Sequence, residues 1–186
     1  MSLRRGFKAE TSRIVARLRQ DLQLAPEAPI DLYAVAALLG LVIVPFSHFA
    51  NRCPDEVTHL MKVDPTAWSA GLIDVGASKR IILHNDAHSP RRQRSNIAHE
   101  IAHVLLGHTA TLPLDAMGCR NIDRDVEEEA NWLGGVLLVP DAAAVHIVRR
   151  SLSIEDACRQ YGVSADLLRM RINMSGARRR VGRATH

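Results

Sequence analysis

Residues 97–108 read IAHEIAHVLLGH and contain His99-Glu100-Ile101-Ala102-His103, two histidines flanking a glutamate in an HExxH pattern. Positions four apart lie on one face of an α-helix. His99 and His103 can therefore direct two imidazoles at one metal ion, for which Zn²⁺ is the natural guest. Glu100 sits one step round the helix, beside that metal, where its carboxylate can take a proton from an attacking water. The flanks support a helix. Ser89-Pro90 reads as its start, with Ser as cap and Pro in the first turn, and Gly107 as its stop. Ile97, Ile101, Val104 and Leu105 form an apolar stripe, so the helix is expected to pack into a core.

A catalytic zinc site uses three protein ligands and leaves one position open. The extended spacing that supplies a third His is absent here: Leu106 stands where a Gly would be and Thr109 where the His would be. The third ligand is therefore expected to be an acid on a later helix. Residues 125–139, DVEEEANWLGGVLLV, read as that helix, closed by Pro140, and offer three consecutive glutamates. Glu127, Ala130, Asn131 and Gly134 share one stripe, whose small residues allow a close approach to the HExxH helix. Asn131 could orient a ligand His from one turn further on. Glu129 shares its stripe with Trp132, Leu133 and Val136, while Glu128 is expected to be the most solvated. Spacing favours Glu127 over the other two, which also suit a charged first turn.

The rest of the chain predicts an α+β fold, a small, mostly antiparallel sheet packed with helices. Residues 8–22 carry Ile14, Val15, Leu18 and Leu22 at helical spacing, as an amphipathic surface helix does. Asp31 can cap a helix over 32–39 that ends at Gly40. Short strands are expected at 41–46, 58–63, 68–75 and 79–84, with Gly76-Ala77-Ser78 as a hairpin turn. A polar loop at 108–123 follows the HExxH helix, and a loop of that length is often functional. Helices are expected near 141–150, 154–161 and 165–173, before a frayed basic tail. The organisation read from this is an N-terminal helix at 1–24, a metallopeptidase domain at 25–175 and a basic tail at 176–186.

Composition narrows the function classes. The chain has 186 residues, enough for one domain with an appendage, and is 47% apolar, enough for a packed core. Its formal charge of +4 is a mild excess concentrated towards the two ends, which argues weakly for nucleic acid. No apolar stretch follows the basic N-terminal residues as in a secretory signal. The apolar run at 32–46 is too short to span a bilayer and is broken by Gly40 and Pro45. Cys53, Cys119 and Cys158 are odd in number and follow no framework spacing, as expected of reduced thiols in a cytoplasmic protein.

These motifs together resemble the ImmA/IrrE-type metallo-endopeptidases, compact zincin-like proteins. The resemblance covers roughly residues 25–175. It is carried by Pro29-Ile30-Asp31, by the run from Ile81-Ile82-Leu83-His84-Asn85 to Arg91-Arg92, and by the HExxH segment. Glu127-Glu128-Glu129-Ala130-Asn131 and Leu137-Leu138-Val139-Pro140 complete it. It implies that Glu127, three residues before Ala130, is the third zinc ligand and that Glu100 is the general base. Two departures stand out: Leu133-Gly134 replaces the frequent Phe-Ala, and Gly107 occupies a position where a His is common, with His108 one residue later. The resemblance further implies a regulatory protease, with one Zn²⁺, that cleaves a helix-turn-helix transcriptional repressor. Some relatives carry such a DNA-binding domain of their own; none is expected in this chain.

The competing reading is a non-enzymatic DNA- or repressor-binding regulator with a structural or vestigial metal site. Residues 157–171, ACRQYGVSADLLRMR, have a helix, turn, helix pattern with Ser164 as a cap, yet no clear basic recognition face. Direct nucleic-acid binding is therefore not expected, nor is membrane association. His108, His88, Tyr161 and the arginines are the candidates for a second donor to the substrate carbonyl. Cys119 could approach the metal only in an inactive state.

Overall fold

The computed structural model describes residues 3–76, 79–108 and 123–184. The turn residues Ala77 and Ser78, and the loop at 109–122 with Cys119, lie outside the described residues. Helix α1 (Phe7–Asp21) buries Phe7, Val15 and Leu18 in the main core, as its spacing requires. At its end the buried Arg19 turns back, and its Nη2 donates to the carbonyls of Ala25, at 2.9 Å, and Ala28. The Pro-containing break is thereby tied to the helix it follows. Helix α2 (Leu32–Leu38) is capped by Asp31, whose carboxylate accepts from the Tyr33 amide at 2.9 Å. Gly40, at φ +67°, takes the chain into the first strand.

Strands β1 (Leu41–Pro45), β2 (Ala70–Asp74) and β3 (Arg80–His84) form one sheet in the order β1-β3-β2. β2 and β3 are the expected antiparallel hairpin, and β1 lies parallel to β3. The sheet is therefore mixed, with Pro45 at the end of an edge strand, where its missing N–H costs no ladder bond. The strand expected at 58–63 is not formed. Helix α3 (Pro54–Thr58) begins with Pro54 in its first turn and Asp55 and Glu56 at its positive end, and continues as a π-turn over His59–Val63. The Pro start and the acidic first turn win over a weakly alternating THLMKV segment that buries none of its own residues.

Helix α4 (Pro90–Leu106) lies on β2 and β3 and packs against α5 (Arg124–Leu138). Pro90 opens α4 as expected, but the Ser89 side chain makes no capping bond. Asp123 caps α5 by accepting from the amides of Asp125 and Val126. The two helices meet at Gly134, where a Cβ would stand 3.3 Å from the Ala98 carbonyl and the His99 amide nitrogen. Ile97 and Ile101 are buried along the stripe read from the sequence, and each such side chain contributes roughly 1.5–3 kcal/mol.

Helices α6 (Asp141–Arg149), α7 (Ile154–Tyr161) and α8 (Ala165–Met174) follow as expected. Residues expected as a frayed tail form α9 (Ala177–Ala184), which packs on α6 and α8 through the buried Ala177. Arg171 on α8 is buried. Its Nε donates to the Val139 carbonyl at 2.9 Å, its Nη2 meets Asp141 at 2.7 Å, and its guanidinium lies over the Trp132 ring. It is therefore unavailable to nucleic acid. The α7–α8 turn is likewise used internally, with Gly162 under the Arg94 side chain. No single helix among the described residues is long and apolar enough to cross a membrane. The apolar pair α5 and α6 is bent by 47° and buries most of its apolar side chains in the core.

Candidate metal centre

α4 and α5 bring three side chains to one point. The Nε2 atoms of His99 and His103 are 3.0 Å apart. The Glu127 carboxylate lies 3.1 Å from His99 Nε2 and 3.5 Å from His103 Nε2. Donors held about 2.0–2.1 Å from one tetrahedral zinc stand roughly 3.3 Å from one another. The triad is spaced to fit such an ion. Among the described residues it is the group of His, Cys, Asp and Glu side chains that could hold a metal.

The electrostatics agree with the geometry. Burial, with the neighbouring His99 and His103–His108 contacts, pushes the His103 imidazole down to about 4. Burial also lowers His99, against the opposing influence of Glu127. Both rings are therefore neutral at neutral pH and offer a lone pair to a metal. Asn131 lies against His99 and favours its protonated form, yet Nδ1 of that ring has no partner of hydrogen-bonding geometry.

Glu100 occupies the neighbouring position on α4, half-buried. Desolvation first, and the Glu127 charge second, push its carboxyl up to about 7. The backbone amide of Leu72 on β2 opposes that shift by hydrogen bonding to the carboxylate. A carboxyl poised near neutrality beside a metal triad can accept a proton and return it.

The three consecutive glutamates part company. Glu127 meets the two histidines, and Glu129 points to His108 and Arg4, with Arg4 Nε donating to it at 2.8 Å. Glu128 is not among the three side chains that could hold a metal. Three of the candidates for a second carbonyl donor, His88, Tyr161 and His108, are engaged elsewhere. His88 Nε2 is 2.7 Å from the Pro65 carbonyl, and the Tyr161 hydroxyl donates to the Glu27 carbonyl at 2.8 Å. His108 rests on His103, Nδ1 to Nδ1, at 3.0 Å. That contact carried no spacing signal beyond the Gly-His pair at the end of the helix.

Comparison with known proteins agrees with this arrangement. The chain is 31% identical over 93 residues to the radiation response metalloprotease IrrE of Deinococcus radiodurans, a match that covers 48% of this chain. It spans only 28% of that relative's length. The model of the M78 peptidases, described as the IrrE N-terminal-like domain, matches residues 52–173, which hold the HExxH helix, Glu127 and the sheet hairpin. The chain thus belongs to the M78 peptidase family, as an IrrE N-terminal-like domain.

Proposed function

We propose that the protein is a zinc-dependent endopeptidase of regulatory type, acting in the cytoplasm on a protein partner, a helix-turn-helix transcriptional repressor. The observation that carries this reading is the convergence of His99, His103 and Glu127 beside a carboxyl raised to about 7. The family membership and the metalloprotease relative support its metallopeptidase part.

In this reading His99 and His103 hold one Zn²⁺ through Nε2, and Glu127 through its carboxylate. Bound zinc supplies Lewis acidity, which acidifies water and polarises a peptide carbonyl. Glu100 takes the proton of the attacking water on a carboxylate oxygen and delivers it to the departing amine nitrogen. In the metal-free site burial raises the Glu100 carboxyl to about 7, so its pocket accepts the neutral form as well as the charged one, as a group that takes up and returns a proton requires.

The test is cleavage of a repressor encoded beside this chain, co-expressed with wild type or with Glu100→Gln. Wild type is expected to yield one or two discrete fragments. The variant is expected to keep its zinc and its fold and to cut nothing, because Gln matches the shape but accepts no proton. Zinc-bound wild type that cleaves no local partner would favour the non-enzymatic regulator, and full cleavage by Glu100→Gln would remove the proposed base.

A further inference from the structure

Helix α4 closes in a Schellman turn. Gly107, at φ +69°, donates its N–H to the Val104 carbonyl at 3.1 Å, and His108 donates its N–H to the His103 carbonyl at 2.9 Å. This closure lays the residue after the glycine over the residue five before it, a pairing usually filled by apolar side chains. Here both positions are histidine. The rings meet Nδ1 to Nδ1 at 3.0 Å. On its far side, His108 Nε2 faces Glu129 Oε2 at 3.6 Å, just beyond hydrogen-bond length. Glu129 Oε1 accepts from Arg4 Nε at 2.8 Å, and Arg4 also pairs with Glu10 on α1 at 2.7 Å. The His108 and Glu129 side chains are only 12% and 16% exposed.

We propose that His108 and Glu129 are positioning residues for the metal-binding His103, anchored through Arg4 to the N-terminal segment. The inference rests on the reading that His103 holds zinc through Nε2. With that lone pair committed, the proton of the ring is on Nδ1. It is donated to Nδ1 of His108, whose own proton then sits on Nε2 and faces the Glu129 carboxylate. The His103–His108 contact is of hydrogen-bond length, and across the 3.6 Å to Glu129 the carboxylate favours an N–H on the His108 nitrogen that faces it, and so the His103 tautomer that offers Nε2 to the metal. Metal-binding histidines are commonly oriented by a carboxylate on the other ring nitrogen; in this protein a second imidazole carries that effect from α5 round the end of α4.

The experiment measures zinc affinity of the full chain by competition with a chromophoric chelator, with thermal unfolding of the metal-free forms alongside. His108→Leu keeps an apolar partner at the helix end but accepts no hydrogen bond. It is expected to lose about 10–100-fold in zinc affinity, the usual effect of removing an outer hydrogen-bond partner. His108→Gln, which can accept from Nδ1 of His103, is expected to recover most of that loss. Glu129→Gln, on a different helix, is expected to weaken zinc several-fold. In the zinc-bound protein, imidazole nitrogen NMR should find the His103 proton on Nδ1. Zinc affinity equal to wild type in both His108→Leu and Glu129→Gln would overturn the relay while leaving the metal site intact. Wild-type protein that takes up no zinc, or His103→Ala that binds it fully, would overturn the metal reading and the relay with it.

Discussion

Glu100 and His103 sit three residues apart on α4 and are shifted in opposite senses. The carboxyl is raised to about 7 and the imidazole lowered to about 4. In the metal-free protein a raised carboxyl stabilises fully below its unfolded value near 4.5 and progressively loses that contribution as pH rises to about 7. The depressed imidazole does the reverse: its contribution is lost as pH falls from about 6.5 to about 4. The two slopes oppose each other in wild type, so the difference between wild type and Glu100→Gln isolates the carboxyl. The variant is expected to unfold at higher temperature, with a gain that grows from pH 4.5 to 7 and reaches on the order of 3 kcal/mol. A pH series of metal-free melts reads it; a gain independent of pH would mean that Glu100 is not desolvated. Zinc content distinguishes the glutamates: Glu127→Gln is expected to lose most affinity and Glu128→Gln almost none. The shared face of His99 and His103 was legible because helical spacing decides it, whereas Glu127, on another helix, was favoured by its small-residue stripe and by the family resemblance. The His103–His108 pair was not legible, because a left-handed glycine brings those rings together across the end of the helix.

At the scale of elements, the long helices and the β2–β3 hairpin could be read from apolar period and turn residues, since both signals repeat over many positions. The exception at 58–63 shows the limit. Six residues of mixed character carry too little period to resist a Pro-initiated helix running into them from Pro54. The parallel placement of β1 was equally invisible, because pairing is made with residues about forty positions away. What could be read was the small-residue stripe of α5, and it has an energetic consequence. Gly134→Ala puts a methyl 3.3 Å from main-chain atoms of Ala98 and His99, which cannot swing aside as a side chain would. The variant is expected to lose about 1–3 kcal/mol and, by displacing His99, to bind zinc more weakly. Thermal unfolding and chelator competition on the same preparation check both; a variant unchanged in both would mean that the helices separate without cost.

For the whole molecule, the core is continuous from α1 to α9. Phe7 is fully buried in it, and Trp132 donates its indole N–H to the buried Thr11 at 3.3 Å while Arg171 covers the ring from α8. Phe7→Ala is accordingly expected to cost about 3–5 kcal/mol, measured by denaturant unfolding; a loss near zero would mean that α1 is only loosely attached. The basic end looked like a tail because its arginines hide an apolar anchor, Ala177, which is buried. The buried seat of α1 carries a practical consequence. Residues 52–173 are the span that the family model matches, and α1, α2 and β1 all precede them. A piece trimmed to those limits would keep His99, His103 and Glu127 yet show water the α5 flank that α1 now covers. Apolar surface uncovered in this way finds another copy of itself. The first property such a fragment would lose is its colloidal behaviour: it would cloud in solution at concentrations where the full chain stays clear.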